Sequence, residues 1–246
     1  PAPRPKEKAP PRPKASDFRE VHGADAAALQ RWADGVRGFR PAAVSVRAGT
    51  ADVVFDAVAV PDDRDWHLLT TPGAREQGAF DDQVRQGFWP ATRTLHPLAP
   101  GYGLTETWVR QPSFGGASWR GSRPFIGGKL ADAKAAGLAP THLSAARLPE
   151  AFFATVILAR SPTRDWEADL DVGIDEVGKK VDEARAKGWW PRVLTAHYDP
   201  DRDRFAAVFA ENRAGVNWDY QPALSPAEYE AELARRTAEA DALVVM

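Results

Sequence analysis

The chain has 246 residues, is 43% hydrophobic and carries a formal charge of −2, with 32 Lys and Arg against 34 Asp and Glu. This length allows one large domain, two ordinary domains or an array of small units. The near-neutral charge argues against a dedicated nucleic-acid-binding protein, which normally has a basic excess. Because the sequence has no cysteine, it excludes disulfides, thiolate catalysis, zinc fingers and iron–sulfur sites.

The first fifteen residues differ in composition from the rest of the chain. Residues 1–15 contain six prolines and five Lys or Arg against one Glu. Such a segment buries too little apolar surface to offset its ordering entropy, and its prolines favour extended polyproline II. We therefore predict a disordered linker here. Since the chain starts on proline inside this linker, we expect it to be a segment of a longer protein.

The sequence contains no stretch with the length of a membrane-spanning helix. The longest apolar run, 151–159, is far short of the ~20 residues that such a helix needs. No apolar stretch follows the basic residues of the linker, so a signal peptide is not predicted either. The missing targeting segment favours a cytoplasmic location, although a cysteine-free chain suits reducing and oxidising compartments equally well.

Three sequence markers recur four times in the same order. The first is Gly-apolar-x-Pro, whose glycines lie 49, 50 and 51 residues apart at Gly38, Gly87, Gly137 and Gly188. The second is a β-rich run that begins sixteen or seventeen residues later, at Phe55, Leu104, Phe153 and Phe205. The third is a tryptophan, at Trp66, Trp119, Trp166 and Trp218. Three independent markers in one repeated order predict a tandem repeat.

Each repeated unit shows a pattern of local structure. Apolar residues at helical spacing precede the glycine, as Val177, Val181 and Ala184 do in the fourth unit. The glycine fits the C′ position, where the backbone is left-handed, and the proline after it stops the helix. Two β-rich segments joined by a short turn follow, such as 193–198 and 204–210. The pattern predicts a helix, a strand, a turn, a second strand and then a tryptophan-bearing loop.

These units define the predicted domains and fold class. We expect a repeat domain at 24–224, in αββ units with the bounds 24–72, 73–125, 126–173 and 174–224. One such unit buries too little surface to be stable alone, so neighbouring units must stack. The fold class is therefore α+β, with eight strands and four helices in a closed ring or barrel, or in a curved array. A capping box at residue 225 predicts one more helix in 225–246, either a cap or the start of a fifth unit.

The repeat resembles the bacterial tandem repeat domain that is also found in the amino-terminal half of fungal polyglycine hydrolases. The resemblance covers residues 24–224 and is clearest in the fourth unit (GWWPRVLTAHYDPDRDRFAAVFAENRAGVNW). The second unit departs most, with Leu104 and Thr107 in place of Phe and Val. The resemblance implies an accessory module coupled to separate catalytic domains, such as serine-hydrolase, protein-kinase-like or formylglycine-generating-enzyme-like domains. The repeat itself has no catalytic residues to carry over.

The sequence contains no motif for catalysis, cofactor binding or metal binding. Ser-x-x-Lys, Gly-x-Ser-x-Gly, the P-loop and the kinase His-Arg-Asp are all missing. Asp199-x-Asp201-x-Asp203 resembles the start of a calcium loop but lacks its glycine and final glutamate, which favours a hairpin turn. His96 and His197 both lie nine residues after their glycines, yet in non-adjacent units and without His-x-x-x-His spacing. We therefore predict no catalytic residue, cofactor or metal ligand here.

One segment carries a binding hypothesis. Between the second and third units, residues 113–123 have the composition of a mobile Gly-rich loop. Aromatic and arginine side chains on such a loop are common in binding hot spots. The candidates are Phe114, Trp119, Arg120 and Arg123. The alternative is an ordinary length variant in which Trp119 is the packing tryptophan of its unit.

The leading functional hypothesis is a non-catalytic repeat module of a larger bacterial multidomain protein. It recognises a protein or peptide, or connects adjacent domains as a scaffold, and its partners do not include nucleic acid. The rival is an enzyme whose active site converges from several units, and the first residues to test for it are His96, Glu106, His197 and Asp203. A third hypothesis, compatible with the first, makes the chain an accessory part of an enzyme whose catalytic domain lies outside it.

Overall fold

The computed structural model describes residues 18–48, 53–99, 101–111, 113–148, 151–161, 165–213, 215 and 218–221, with 227–229, 231, 232 and 235 of a last helical segment. The predicted linker 1–15 lies outside these residues, and so does most of the predicted helix in 225–246. Within the part of the chain that is described, no helix has the length and apolar character needed to cross a bilayer.

The described chain repeats one order of elements four times: strand, helix, strand, strand. The first repeat comprises β1 (Arg19–Ala24), α1 (Ala26–Gly35), β2 (Phe39–Ala48) and β3 (Val53–Pro61). The second comprises β4 (Trp66–Pro72), a short 3-10 helix (Gly73–Arg75), α2 (Glu76–Arg85), β5 (Phe88–Pro97) and β6 (Tyr102–Arg110). The third comprises β7 (Gly116–Ser122), α3 (Arg123–Ala135), β8 (Leu138–Arg147) and β9 (Phe152–Arg160). The fourth comprises β10 (Trp166–Gly173), α4 (Ile174–Ala186), β11 (Trp189–His197) and β12 (Arg204–Glu211).

Each repeat folds into its own three-stranded antiparallel sheet. The strand orders are β1–β3–β2, β4–β6–β5, β7–β9–β8 and β10–β12–β11, so the last strand of each repeat is the central one. The helix connects the two outer strands of its sheet. The predicted α+β repeat arrangement is confirmed, but within the described ranges the strands form four separate sheets and no closed barrel.

The segment after each of the first three hairpins is a strand rather than the predicted tryptophan-bearing loop. Trp66 and Trp166 begin β4 and β10, and Trp119 lies in β7. Their backbones pair with the central strand of the next sheet, as Trp66 does with Val109. The described residues therefore contain twelve strands, against the eight predicted. A predicted unit such as 73–125 joins one helix and hairpin to the first strand of the following sheet, and its bounds stay a prediction.

The Gly-apolar-x-Pro motif marks the change from helix to sheet in every repeat. Its glycine has the predicted left-handed backbone, with φ between 72° and 82° at Gly38, Gly87, Gly137 and Gly188. Its proline lies inside the strand that follows, where the pairing register shifts directly after it, as between Pro191 and Val193. Proline has no N–H to donate to a ladder, so it fits an outer strand at a bulge.

We expect Gly137→Ala to lower the free energy of unfolding by about 1–2 kcal/mol, because a left-handed backbone disfavours any Cβ. A Cβ at Gly137 meets no atom within 4 Å, so the loss is conformational rather than steric. Gly178→Ala is the matched control, since Gly178 has the same open space but lies inside α4, where alanine is expected to raise stability by about 1 kcal/mol. Urea denaturation of both variants measures the two changes, and two changes of the same sign contradict this reasoning.

Neighbouring sheets contact one another through the strand that follows each helix. β2 contacts β5, β5 contacts β8, β8 contacts β11, and β11 contacts β2. Buried hydroxyl groups contribute to these contacts. Thr94 Oγ1 on β5 donates to Val44 O on β2 at 2.6 Å, and Thr195 Oγ1 on β11 donates at 2.6 Å to the main chain of β8. Serine or threonine stands seven residues after every motif glycine, at Ser45, Thr94, Ser144 and Thr195.

The C-terminal helical segment lies against the first sheet. The Tyr229 hydroxyl donates a hydrogen bond to Glu20 Oε2 on β1, and the Tyr229 ring meets the His22 ring edge-on at 5.2 Å. Burial and the Glu20 carboxylate raise the pKa of the Tyr229 hydroxyl, so the hydroxyl remains a donor at neutral pH. This Tyr229 contact joins residues that are 209 positions apart in the sequence.

Candidate functional site

Two large apolar side chains are exposed next to each other on the third repeat. Trp119 of β7 is 40% exposed and Phe125 of α3 is 43% exposed, and their ring centroids lie 6.3 Å apart in an edge-on arrangement. Gly121 makes room for this pair, because a Cβ there would lie 2.4 Å from the Phe125 ring. We call the surface formed by Trp119, Gly121, Phe125, Gly128 and Lys129 the β7–α3 face.

The β7–α3 face includes one positively charged side chain, that of Lys129. Lys129 Nζ lies 4.8 Å from the centroid of the Trp119 ring and 5.5 Å from that of the Phe125 ring. Its acidic neighbour is Asp132, at 3.8 Å on the same helix, whose side chain is mostly exposed. Ion pairs of this exposed kind contribute little energy. The Lys129 ammonium group is therefore held beside two aromatic rings, where a carboxylate from outside can reach it.

The exposure of Trp119 follows from the register of its sheet. Trp66 and Trp166 stand at the first paired position of their strands, whereas Gly116 holds that position in β7. A Cβ at Gly116 would lie 1.9 Å from Leu158 O, so a tryptophan does not fit there. Trp119 comes three residues later and contacts its own helix instead. Trp119 is therefore far more exposed than Trp166, which is 3% exposed, and the alternative prediction, in which Trp119 is the packing tryptophan of its unit, stays a prediction.

Phe114 packs between the second and third repeats. Its ring stacks on Trp89 of β5 with 5.1 Å between the centroids. The predicted mobile loop 113–123 is corrected by the structure, because residues 116–122 form β7 and pair along their whole length with β9. A strand forms there because the small and glycine residues of β7 allow it to lie close to its neighbour.

Arg120 and Arg123 contact the repeats on either side of the third one. Arg120 donates to the Glu76 carboxylate at the start of α2, and its guanidinium carbon lies 4.9 Å from the centroid of the Tyr102 ring. Arg123 donates to Asp171 of β10 at 3.3 Å. Both guanidinium groups are thus engaged by carboxylates of the same chain.

The structure therefore separates the four sequence-based binding candidates. Trp119 lies on the β7–α3 face, whereas Phe114 and both arginines contact the second or fourth repeat, and a binding role for those three stays a prediction. Sequence reasoning missed Phe125 and Lys129, because the helical pattern of this unit identifies only its core positions. The signal that could have found them is the glycine pair 127–128, which is unfavourable inside a helix and has no packing reason in the sequence.

The second repeat holds a buried ion cluster. Arg93 on β5 is 3% exposed, and it donates to Glu106 Oε1 at 2.6 Å and to Glu76 Oε1 at 2.7 Å. Its third bond, 3.0 Å long, goes to Ser118 Oγ of β7, so the cluster spans two repeats. Burial raises the pKa of the Glu106 carboxyl, against the opposing effect of Arg93. Three guanidinium nitrogens of Arg93 bind protein acceptors, which is typical of a structural cluster.

A second charged cluster joins the third and fourth repeats. Asp171 of β10 accepts from Arg204 Nε at 2.6 Å, and His197 Nε2 lies 3.7 Å from the same Asp171 oxygen. Arg147 of β8 donates to Asp199 Oδ2 at 2.9 Å. Burial lowers the pKa of His197 to about 4, although the Asp171 and Asp199 carboxylates oppose this shift. The His197 ring is therefore neutral at pH 7.

The residues of the rival enzyme hypothesis fall into two repeats. His96 and Glu106 lie in the second, where the two ring nitrogens of His96 bond Pro97 O at 2.9 Å and Thr105 Oγ1 at 3.1 Å. His197 and Asp203 lie in the fourth, and Asp203 is exposed before β12. The ring nitrogens of His96 are engaged within their own hairpin. This arrangement is that of a packed histidine rather than of a general base facing a substrate.

Asp199, the first of the possible calcium ligands, has partners within the protein. Asp199 accepts from Arg147, and its second oxygen accepts from the backbone N–H of Asp201 at 3.0 Å, as in a polar turn. In the described ranges, no group of three or more His, Asp or Glu side chains is arranged to hold a metal ion.

Two surface cavities lie beside the helices. One of about 230 Å³ lies between α4 and its own sheet and is lined by charged residues that include Asp169, Lys180 and Lys187. The other, of about 250 Å³, lies between α1 and β4 and is lined in part by Arg37 and Trp66. Both are smaller than the ~300–1,000 Å³ of typical small-molecule sites.

Comparisons with known proteins agree with the repeat architecture. A search of curated proteins finds no match. Residues 163–212 match a protein family described as polyglycine hydrolase-like, structural repeat. The matched range contains β10, α4, β11 and β12, which together are the whole fourth sheet and its helix. The resemblance inferred from the sequence markers is confirmed at residues 163–212, which form a repeat of the polyglycine hydrolase-like kind.

Proposed function

We propose that these residues form a non-catalytic repeat module of a larger bacterial protein, which acts as a rigid scaffold between domains and presents a recognition surface to a protein or peptide. In this proposal the four sheets close into a ring. Two observations support closure: the contacts between successive sheets return from β11 to β2, and the Tyr229 contact joins the last helical segment to β1.

The observation that supports the scaffold role best is that buried polar side chains donate hydrogen bonds to neighbouring repeats. Arg93 donates to Ser118 on the third repeat, and its neighbour Thr94 donates to the main chain of the first. Thr195 of the fourth repeat donates to the main chain of the third. A catalytic centre instead directs titratable groups into a cavity. Buried polar groups that bind between repeats fix the repeats relative to one another, as a scaffold requires.

A second candidate function is an accessory part of an enzyme, such as a serine hydrolase, whose catalytic domain lies outside this chain. The description of the matched family favours it, because that description names polyglycine hydrolases. The two roles are compatible, since a scaffold beside a catalytic domain can hold that domain or its substrate.

The scaffold proposal predicts fixed distances between repeats. Because the chain has no cysteine, pairs of engineered cysteines can be spin-labelled without background. We choose the exposed positions Arg31 on α1 with Ala131 on α3, and Asp81 on α2 with Lys179 on α4. Double electron–electron resonance is expected to give one narrow distance distribution for each pair. The same pairs in urea supply the broad reference distribution, and broad or multiple distributions in buffer contradict a rigid scaffold.

A further inference from the structure

The third and fourth repeats carry different chemistry at matching positions of their helix-facing surface. Lys129 and Lys180 both lie eight residues before their motif glycine. In the fourth repeat, Lys180 Nζ forms an ion pair with Asp169 Oδ2 of β10 at 2.9 Å. Trp119 holds the position in the third repeat that Asp169 holds in the fourth. Trp119 pairs with Val156 and Asp169 pairs with Ala207, and each of these partners lies nineteen residues after the motif glycine of its repeat. The lysine of the third repeat therefore faces a ring where its counterpart faces a carboxylate.

A second acidic position changes in the same way. Phe125 and Glu176 both lie twelve residues before their motif glycine, so the exposed Phe125 replaces a glutamate. The basic side chain of the β7–α3 face is Lys129, since Arg120 and Arg123 of the same segment pair with Glu76 and Asp171. The β7–α3 face is thus an aromatic and basic surface, on a repeat whose neighbour has carboxylates at the matching positions.

The backbone of α3 is not covered by side chains at two glycines. A Cβ added at Gly127 or Gly128 of α3 would meet no atom within 4 Å. Two glycines inside a helix cost about 1 kcal/mol each relative to alanine, and packing within the chain does not require them. Gly128 lies one turn from Phe125 and next to Lys129 along the helix surface. The absence of a side chain there allows another chain to approach the helix closely.

We infer that the β7–α3 face binds an acidic peptide segment of a partner protein. An aliphatic or aromatic side chain of the peptide packs against Trp119 and Phe125, its backbone passes over Gly128, and its carboxylate pairs with Lys129. The peptide thus supplies carboxylates where the fourth repeat has Asp169 and Glu176 and the third repeat has aromatic rings. This inference rests on the proposed recognition role and adds to it the place and the chemical class of the partner.

Fluorescence anisotropy of the full chain with labelled twelve-residue peptides tests this inference. The acidic probe alternates Glu with Leu and Phe, and two matched probes carry Gln or Lys in place of Glu. We expect the acidic probe to bind about tenfold more tightly than the Gln probe, less so at high salt, and the Lys probe to bind most weakly. Trp119→Ala is expected to weaken binding of the acidic probe about tenfold or more.

Two further variants separate the face from the general charge of the protein. Lys129→Gln is expected to remove most of the preference for Glu over Gln, whereas the matched variant Lys180→Gln on the fourth repeat leaves it unchanged. Trp119→Asp, which restores the acid of the fourth repeat, is expected to abolish binding, and thermal unfolding verifies that each variant is folded. Equal binding of the Glu and Gln probes, both weakened by Trp119→Ala, overturns the acidic class but keeps the recognition role. Binding that is insensitive to Trp119→Ala, or no binding by any probe, overturns the inference, while the spin-label distances still decide the scaffold role.

Discussion

Replacement of Arg93 by methionine is expected to lower the free energy of unfolding by about 3–5 kcal/mol. The Arg93 guanidinium is buried between the carboxylates of Glu76 and Glu106, and its removal leaves Glu106, which is 2% exposed, without its cation. A buried ion pair is a weak source of net stability, but an uncompensated buried charge is strongly destabilising. Urea denaturation at pH 7 measures the loss.

Two control variants test whether the burial of the ion cluster causes this loss. Arg85→Met removes the same side chain from an exposed helix pair with Asp82 and is expected to change stability by less than about 1 kcal/mol. Glu106→Gln added to Arg93→Met removes the stranded charge and is expected to recover part of the loss. Similar effects for Arg85→Met and Arg93→Met show that the buried cluster contributes no more than a surface pair.

Acidification from pH 7 to pH 5 is expected to lower the free energy of unfolding by about 2 kcal/mol for each of two buried histidines. Burial holds the pKa of His142 and of His197 at about 4, against an ordinary value of 6.5. Below pH 6.5 the unfolded chain therefore binds protons that the native protein does not, so stability falls until about pH 4, where each histidine has cost about 3 kcal/mol.

Three carboxyl groups change the free energy of unfolding outside this pH window or in the opposite direction. Asp171 and Asp199, beside His197, have lowered pKa values, so the stability that they add is lost only below about pH 3.8. The raised pKa of the Glu106 carboxyl favours the native state as pH falls. Comparison with single variants cancels these contributions. In His142→Gln and in His197→Gln, the loss in free energy of unfolding between pH 7 and pH 5 is expected to be smaller by about 2 kcal/mol. A loss equal to that of the unchanged protein contradicts the role given to that histidine.

The helix and hairpin of each repeat could be predicted because their signals are local. A glycine at C′ and a proline three residues after it define the end of a helix within four residues, as at Gly188 and Pro191. The first strand of each sheet was missed for the opposite reason. Trp66 pairs with Val109, far along the chain, and the strand sequence WHLLTTP has no regular alternation of polar and apolar residues. Its identity as a strand depends on a partner that no local pattern shows.

The candidate site was predictable in part. The aromatic character of Trp119 beside glycines predicts a binding residue, and Trp119 lies on the β7–α3 face. Its exposure depends on a shift of three positions relative to Trp166, which only the strand register shows. Phe125 was hidden because an aromatic residue on a helix is usually a core residue. The cross-strand pair of Arg93 with Glu106 was equally hidden, since two charged residues thirteen positions apart give no sign that they are buried.

The hydrogen bond between Tyr229 and Glu20 affects how the module would sit in a longer polypeptide. It places Glu20, near the point where the chain enters the first sheet, beside Tyr229 in the first turn of the last helical segment. A domain fused directly before β1 would therefore lie beside this helical segment rather than on the opposite side of the module.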